Sequence, residues 1–210
     1  MSVKLVIFDL DGTLVNAYGA IVNSFNYTMR RLNFPLKSAF IIKKAVGWGD
    51  ENLLKPFIPE RALKKALSIY RAHHKTALLK DSKLMPHAQR LLRRLKRQGI
   101  KLAVASNRPT KFSLILLRHL EIKKYFDYCL CADKLKFGKP RPGILNKIIR
   151  RMGAKKNQAF YVGDMAIDAE AGRRAGIKTI VVLTGSSSGV EVKREKPFRV
   201  LRSLSRISFD

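Results

Sequence analysis

Acidic residues are scarce in this sequence of 210 residues, where 15 Asp and Glu stand against 43 Lys and Arg, giving a formal net charge of +28 at pH 7. The two cysteines are too few for a disulfide framework. Apolar runs are shorter than the ~18 residues that a membrane helix needs. The first of them, residues 3–8, ends at Asp9, which is unlike a secretory signal. The sequence therefore argues against membrane, secreted and disulfide-stabilised classes.

The remaining composition is that of a packed domain. Hydrophobic residues make up 46% of the chain, which is too many for a disordered protein, and the length suits one domain with a modest insertion. Cys129 and Cys131 lie two apart on a predicted strand, a spacing that favours two small buried side chains over half of a metal site. Free thiols fit a reducing compartment, so we expect a cytoplasmic protein.

The positive charge predicts anionic binding partners. Such a surface attracts small anionic substrates, and it permits sequence-independent nucleic-acid binding. Aromatic residues do not alternate with the basic residues of 90–97 and 193–206 as they would in stacking platforms. A basic nucleic-acid-binding protein therefore remains an alternative function.

Apolar runs alternate with amphipathic helical patterns along most of the chain. Strands are predicted at 3–8, 101–105, 128–131, 160–162, 178–183 and 198–201, and helices at 89–98, 112–120 and 144–152. Repetition of strand and helix predicts an α/β, Rossmann-like fold with a parallel sheet.

One stretch interrupts this alternation. Residues 15–81 show helical spacing without a convincing strand, which predicts an inserted helical cap and leaves residues 1–14 and 82–210 as the α/β core. The Gly- and Ser-rich piece that begins at Gly185 predicts a surface loop over 185–196.

The strongest motif is Asp9-Leu10-Asp11-Gly12-Thr13, directly after the first predicted strand. Open α/β sheets bind ligands at the carboxyl ends of their strands, where these two acids would lie. Gly12 allows a sharp turn out of the strand. In a basic chain, Asp9 and Asp11 also make a local negative site, which suits a hard cation such as Mg²⁺.

Three further pieces carry polar groups at similar places. Ser106 and Asn107 follow the second core strand, where a hydroxyl and backbone N–H groups can hold a phosphate oxygen. Lys139 lies between Gly138 and Pro140 and offers a compact charge for a phosphate. Asp164 and Asp168 lie four residues apart at a strand end and a helix start.

These four pieces, in this order, resemble the motifs of the haloacid dehalogenase superfamily of phosphohydrolases, with the closest match to its phosphoglycolate phosphatase-like branch. The resemblance covers nearly the whole chain. Residues 47–54 look like the cap motif of that branch, and residues 164–176 look like the helix of its fourth motif. The resemblance implies a Mg²⁺-dependent phosphatase that hydrolyses a small organic phosphate monoester through an aspartyl-phosphate, and the sequence leaves monomer and homodimer open.

The resemblance also implies roles for single residues. Asp9 would be the nucleophile, and Asp11 would be the general acid and base. The phosphate-binding residues would be Thr13, Ser106, Asn107 and Lys139. The metal-binding residues would be Asp9, Asp11 through its backbone carbonyl, Asp164, and Asp168 through water, unless Asp168 instead orients Lys139. Substrate contacts from the cap are expected at Trp48, Asn52 and Lys55.

Single residues also distinguish the predicted phosphatase from related activities of this superfamily. Asp11 argues against a dehalogenase, because a departing halide needs no proton. A β-phosphoglucomutase-like phosphomutase shares the core motifs, but its cap usually carries a Ser-Arg pair where Gly49-Asp50 stands here. The family often has an acid at the position of Asn16.

Overall fold

The computed structural model describes residues 2–209, and its centre is a parallel β-sheet. The strands, in chain order, are β1 (Leu5–Phe8), β2 (Val15–Asn16), β3 (Lys83–Leu84), β4 (Lys101–Ser106), β5 (Tyr128–Cys131), β6 (Ala159–Gly163), β7 (Lys178–Val182) and β8 (Arg199–Leu201). Six of them form one parallel sheet in the order β5-β4-β1-β6-β7-β8. The predicted α/β fold is confirmed.

Helices accompany this sheet, and those that follow β3 in the chain pack on its two faces. The helices are α1 (Tyr18–Arg31), α2 (Ala39–Lys44), α3 (Asp50–Leu54), α4 (Glu60–Asp81), α5 (Ala88–Arg97), α6 (Thr110–His119), α7 (Gly143–Arg151), α8 (Ala166–Ala175) and α9 (Gly189–Arg194). Side chains alternate across a strand, so Val6 and Phe8 of β1 join the core beneath α5 and α6, whereas Leu5 and Ile7 join the core beneath α7 and α8. Because both faces are buried, the strands read as continuous apolar runs.

The position of β1 decides where a ligand can bind. It lies between β4 and β6, with Phe8 in register with Val104 on one side and Val162 on the other. The three strands run in the same direction and end within two residues of one another, so the loops that follow them meet at one edge of the sheet. This is the carboxyl edge at which open α/β sheets bind ligands.

The chain between β2 and β3 forms a helical segment, residues 18–81, which contains α1 to α4. It has its own buried cluster, with Phe25, Met29, Ile42 and Leu54 fully enclosed. The segment leaves and rejoins the rest of the chain through an antiparallel ribbon in which Val15–Asn16 pairs with Lys83–Leu84. The prediction that 15–81 holds no strand is therefore wrong at its first two residues, because a ribbon of two pairs is too short to produce a periodic signal.

The predicted loop over 185–196 contains a helix, and this is a second correction. Ser188 accepts a hydrogen bond from the backbone N–H of Glu191, while Glu191 accepts one from the backbone N–H of Ser188, so the two residues form a capping box at the start of α9. Buried Val192 anchors the helix on the sheet beside Val181. The serine-rich composition thus marked a helix N-terminus as well as a loop.

Over residues 2–209, no helix combines the length and the apolarity that crossing a membrane requires. Cys131 is buried and Cys129 is half-buried, and neither forms a disulfide. Their side chains lie on β5, as the spacing predicts.

Candidate active site

A cavity opens at the carboxyl edge of the sheet, between the strand ends and the helical segment. The α/β core contributes residues of the four predicted motifs and residues at the starts of α6 and α8. The full lining of the cavity is Asp9, Asp11, Ile21, Val46, Gly47, Gly49, Asp50, Leu53, Tyr70, His74, Ser106, Asn107, Arg108, Pro109, Phe112, Lys139, Met165, Ile167 and Asp168. The structure therefore brings Asp9, Asp11, Ser106, Asn107, Lys139 and Asp168 to one hollow.

Lys139 is the cation of this hollow that lies nearest to the nucleophile candidate. Its Nζ donates to Asp9 Oδ1 at 2.7 Å, to Asp168 Oδ1 at 2.7 Å and to the Tyr161 hydroxyl at 3.0 Å. Burial alone would lower the pKa of Lys139, but the attraction of Asp168 and Asp9 outweighs burial and raises it above the ordinary value. The ammonium group is therefore charged, and its direction is fixed by three bonds.

Asp168 holds both Lys139 and the backbone of the fourth motif. Its Oδ1 accepts from Lys139 and from the Tyr161 hydroxyl at 2.7 Å, and its Oδ2 accepts from the backbone N–H groups of Asp164 at 3.2 Å and Met165 at 3.1 Å. Both carboxylate oxygens are thus engaged with protein donors. These contacts favour the orientation of Lys139 over the alternative of a metal contact through water.

Asp164 has the opposite character, because one of its oxygens is left over. Oδ1 accepts from the Thr13 hydroxyl at 2.8 Å, whereas Oδ2 is a buried side-chain oxygen without a hydrogen-bond partner within residues 2–209. A Cβ added to Gly12 or to Gly185 would collide with this oxygen, so the lack of a side chain at both positions makes room for the Asp164 carboxylate itself. A buried, unpaired carboxylate oxygen is costly unless a ligand compensates it.

A divalent cation fits this environment. Carboxylate oxygens of Asp9, Asp164 and Asp168 lie within 4.8 Å of one another, and Lys139 is the cation that contacts this group. Three acids against one ammonium leave uncompensated negative charge, and hard divalent ions take oxygen ligands of this kind. The cluster of these three carboxylates, with the unpaired Asp164 Oδ2, is therefore where the donor set suits a metal ion.

The pKa values of the acids report the same excess of negative charge. Burial, opposed by Lys139 and reinforced by Asp168, raises the pKa of Asp9 from 3.8 to about 7. Burial, reinforced by Asp168 and Asp9, raises the pKa of Asp164 well above 3.8. Without a bound cation, both carboxyl groups thus hold protons more tightly than exposed ones do.

Asp11 is oriented by an arginine that the motif search did not single out. Arg108 Nε donates to Asp11 Oδ2 at 2.8 Å, and Nη2 donates to Oδ1 at 2.7 Å, so the guanidinium holds both carboxylate oxygens. The carboxylate therefore lies outside the cluster of Asp9, Asp164 and Asp168. A role for the Asp11 backbone carbonyl in metal binding stays a prediction.

The second motif, Ser106-Asn107, contributes a hydroxyl group to the cavity and an amide side chain that connects two loops. Ser106 is buried, and its Oγ accepts from the Arg108 N–H at 3.2 Å, so its hydroxyl hydrogen can still be donated to a phosphoryl oxygen. The Asn107 side chain accepts from the Lys139 N–H at 2.8 Å and donates to the carbonyl oxygens of Lys139 and Gly47. Asn107 thus fixes Lys139 beside the strand ends and fastens the helical segment to them.

Two groups of predicted contacts do not line this cavity, and their roles stay predictions. Thr13, expected to hold phosphate, is fully buried, is absent from the cavity lining and donates its hydroxyl hydrogen to Asp164. Trp48, Asn52 and Lys55 are exposed and also lie outside the lining. The helical segment instead lines the cavity with Ile21, Val46, Gly47, Gly49, Asp50, Leu53, Tyr70 and His74.

Arg108, His74 and Tyr161 are the site residues that sequence reasoning missed. Arg108 directly follows Ser106-Asn107, which was a positional signal, but one arginine among 43 basic residues carries little information. Tyr161 is a buried residue of β6, so the apolar pattern predicts its place in a strand but not its hydrogen bond to Lys139. His74 gives no local signal, because its partner Arg108 is 34 residues away in the chain.

Comparison with known proteins agrees with this geometry. Residues 6–182 match the sequence profile of the haloacid dehalogenase-like hydrolases, so the chain belongs to this family. The family predicted from the four motifs is thereby confirmed, and with it the enzyme class of hydrolase.

Individual relatives cover nearly the full length. A phosphoglycolate phosphatase of Aquifex aeolicus is 31% identical over 182 residues, which are 87% of this chain and 85% of that protein. The pyrophosphatase PpaX of Halalkalibacterium halodurans is 30% identical over 207 residues, which are 97% and 94% of the two chains. The crystal structure of a predicted phosphoglycolate phosphatase from Haemophilus somnus has a TM-score of 0.90 at 27% identity and covers 97% of this chain and 95% of that one.

Proposed function

We propose that this protein is a Mg²⁺-dependent phosphatase that hydrolyses a small organic phosphate monoester of the phosphoglycolate type, with Asp9 as the acceptor of the phosphoryl group. The observation that carries the proposal is the cluster of Asp9, Asp164 and Asp168 carboxylates at the sheet edge, with Lys139 bound to Asp9 and one Asp164 oxygen unpaired. The names of the two relatives, a phosphoglycolate phosphatase and a pyrophosphatase, support a phosphate-bearing substrate.

In the first step, an Asp9 carboxylate oxygen attacks the phosphorus atom. An oxygen–phosphorus bond forms on Asp9, the bond from phosphorus to the ester oxygen breaks, and Asp11 gives a proton to the departing alkoxide. Lys139 Nζ, fixed by Asp168 and Tyr161, lies where it stabilises the negative charge that the phosphoryl oxygens carry. Ser106 donates its hydroxyl hydrogen to another of these oxygens.

In the second step, water attacks the phosphorus atom of the aspartyl-phosphate. Asp11 takes the proton of that water, the bond between phosphorus and Asp9 breaks, and inorganic phosphate leaves with Asp9 again a free carboxylate. Asp11 must therefore alternate between acid and base, so its carboxylate must be able to leave the Arg108 fork during turnover.

We place the metal ion on Asp9, Asp164 and the backbone carbonyl of Asp11. When bound, Mg²⁺ would offset the repulsion between the Asp9 carboxylate and a phosphate dianion. Thr13 would orient Asp164 through its 2.8 Å hydrogen bond, and Gly12 and Gly185 would leave room for the Asp164 carboxylate.

We further propose that residues 15–81 act as a cap over the cavity. The helical segment closes it with Val46, Gly47 and Leu53, and Asn107 ties it to the core at the Gly47 carbonyl. An enclosed site excludes bulk water and selects the leaving group by contact.

The test is the release of inorganic phosphate from 2-phosphoglycolate with Mg²⁺ and with chelator. We expect metal-dependent turnover that Asp9→Asn abolishes. Asp127→Asn is a matched control, because Asp127 precedes β5 at the opposite edge of the sheet, and it should retain turnover. Equal turnover in chelator, or unchanged turnover in Asp9→Asn, would contradict the proposal.

A further inference from the structure

Arg108 is a buried cation that the phosphoryl-transfer steps do not use. It lies in the turn between β4 and α6, is 8% exposed and lines the cavity. Lys139 and Arg108 are the two cationic side chains in the cavity lining. Lys139 pairs with Asp9 and Asp168 at the phosphoryl-transfer centre, whereas Arg108 pairs with Asp11 alone among the acids of residues 2–209, on the side where the leaving group departs.

The guanidinium is held in place from the side of the helical segment. Arg108 Nη1 lies 2.7 Å from His74 Nε2 on α4, and His74 Nδ1 lies 3.0 Å from Ser24 Oγ on α1. Because a guanidinium only donates, Nε2 must accept and Nδ1 must carry the ring proton. Burial and the charge of Arg108 lower the pKa of His74 to about 2, so the ring stays neutral in this chain of bonds.

The remaining walls of the leaving-group side are apolar or already neutralised. Ile21, Val46, Leu53 and Phe112 offer no charge. Asp50 reaches the cavity, but Arg71 binds both of its carboxylate oxygens, at 2.7 and 3.1 Å. An anionic leaving group would therefore find its cationic partner here in Arg108, in exchange for Asp11, and an uncharged leaving group would gain no ion pair.

The contact between Arg108 and Asp11 conflicts with catalysis as long as it lasts. Both oxygens of Asp11 accept from the guanidinium, at 2.8 and 2.7 Å, so neither is available to the leaving group. A carboxylate or a phosphate on the substrate matches the same planar fork. Such a group can replace Asp11 on Arg108, because one bidentate ion pair is exchanged for another.

We propose that Arg108 binds a second anionic group on the leaving portion of the substrate, and that this binding releases Asp11 for proton transfer. The substrate class is then phosphate esters or anhydrides that carry a carboxylate or a second phosphate beyond the transferred group. The inference rests on the proposed phosphatase function and extends it to the leaving group. Arg108 becomes the specificity-determining residue of the cavity.

The test compares kcat/KM for 2-phosphoglycolate, pyrophosphate and ethyl phosphate, which differ in the leaving group. The wild-type enzyme should prefer at least one of the two acidic substrates over ethyl phosphate by about 100-fold or more, since a site built for a polar group discriminates strongly against its absence. Arg108→Gln should lower kcat/KM for the preferred acidic substrate far more than for ethyl phosphate, so that most of the preference is lost. The ratio of kcat/KM for 2-phosphoglycolate to kcat/KM for pyrophosphate shows whether the Arg108 guanidinium binds a carboxylate or a phosphate.

Controls separate the local role of Arg108 from charge and folding. Arg173→Gln removes the same charge from an exposed residue that pairs with Glu195, and it should keep the wild-type preference. Arg108→Lys should restore part of the preference lost in Arg108→Gln, because a charge remains but the fork does not. In the wild-type enzyme, glycolate should inhibit ethyl phosphate hydrolysis competitively, whereas ethylene glycol should not, and this measurement requires no variant.

Two results would overturn the inference. An equal fall of kcat/KM on all three substrates in Arg108→Gln, with no inhibition of the wild-type enzyme by glycolate, would show a structural role only, while the phosphatase function would stand. Absence of metal-dependent turnover on every substrate in the wild-type enzyme would instead overturn the proposed function together with the inference.

Discussion

The stability of the metal-free protein should fall as the pH rises, because of the buried Asp9 carboxyl group. Its pKa is about 7 in the folded chain, against 3.8 for an ordinary aspartate, and burial is the largest cause. Between these two pH values, the folded state holds a proton that the unfolded state has released. Deprotonation therefore favours unfolding, and stability present below about pH 4 is lost as the pH approaches 7.

The size of the effect follows from proton linkage. One proton held only by the folded state changes the free energy of unfolding by about 1.4 kcal/mol per pH unit, so the loss between about pH 4.5 and about pH 6.5 is on the order of 3 kcal/mol. Asp164 acts in the same direction, since its pKa is also raised by burial. A bound divalent ion should offset the loss, because it binds the deprotonated folded state.

Urea denaturation at a series of pH values, in chelator and in Mg²⁺, measures this dependence. In chelator, Asp9→Asn should reduce the pH dependence of the free energy of unfolding by about 1.4 kcal/mol per pH unit, the contribution of one proton. Asp127→Asn should keep the fall in the free energy of unfolding that Asp9 causes as the pH rises. The pKa of Asp127 is lowered, so Asp127 contributes with the opposite sign, and its stabilisation is lost as the pH falls. The reasoning would be refuted if, in chelator, the free energy of unfolding of the wild-type protein rose steadily from about pH 4.5 to about pH 6.5 and Asp9→Asn showed the same rise.

Three further outcomes test other parts of the structure. Gly185→Ala should raise the Mg²⁺ concentration for half-maximal activity by about 10-fold or more, since its Cβ meets the Asp164 carboxylate, and a metal titration of activity checks this. Ser188→Ala should lower the free energy of unfolding by about 1 kcal/mol in urea denaturation, because it removes the cap of α9, and no change would contradict the capping box. Trp48→Ala should leave kcat/KM for 2-phosphoglycolate unchanged, because Trp48 lies outside the cavity, and a large loss would restore it as a substrate contact.

The sequence predicted the sheet and the convergence of its motifs because both are encoded locally. Each predicted strand lies within two residues of an observed one, since buried parallel strands are continuous apolar runs. Asp9, Ser106 and Asp164 stand at strand ends, and parallel strands bring such ends to the same edge. Periodicity and position were sufficient for this part of the site.

The rest depends on contacts between distant parts of the chain. Arg108 pairs with Asp11 across 97 residues and with His74 across 34, and no spacing rule selects such partners. Whether Asn52 of α3 faces the cavity depends on how α3 packs on α4, and residue type carries no information on that packing. Residue type predicts which side chains can bind a substrate, and tertiary packing decides which of them reach it.

The transfer of a phosphoryl group to Asp9 is tested most directly by trapping it. Turnover of 2-phosphoglycolate carrying radioactive phosphorus is quenched in acid after a few milliseconds, and the digested protein is mapped for label. The account predicts label on the peptide that contains Asp9, with none in Asp9→Asn or in chelator. Continued turnover with no labelled peptide, or label on a different residue, would contradict it.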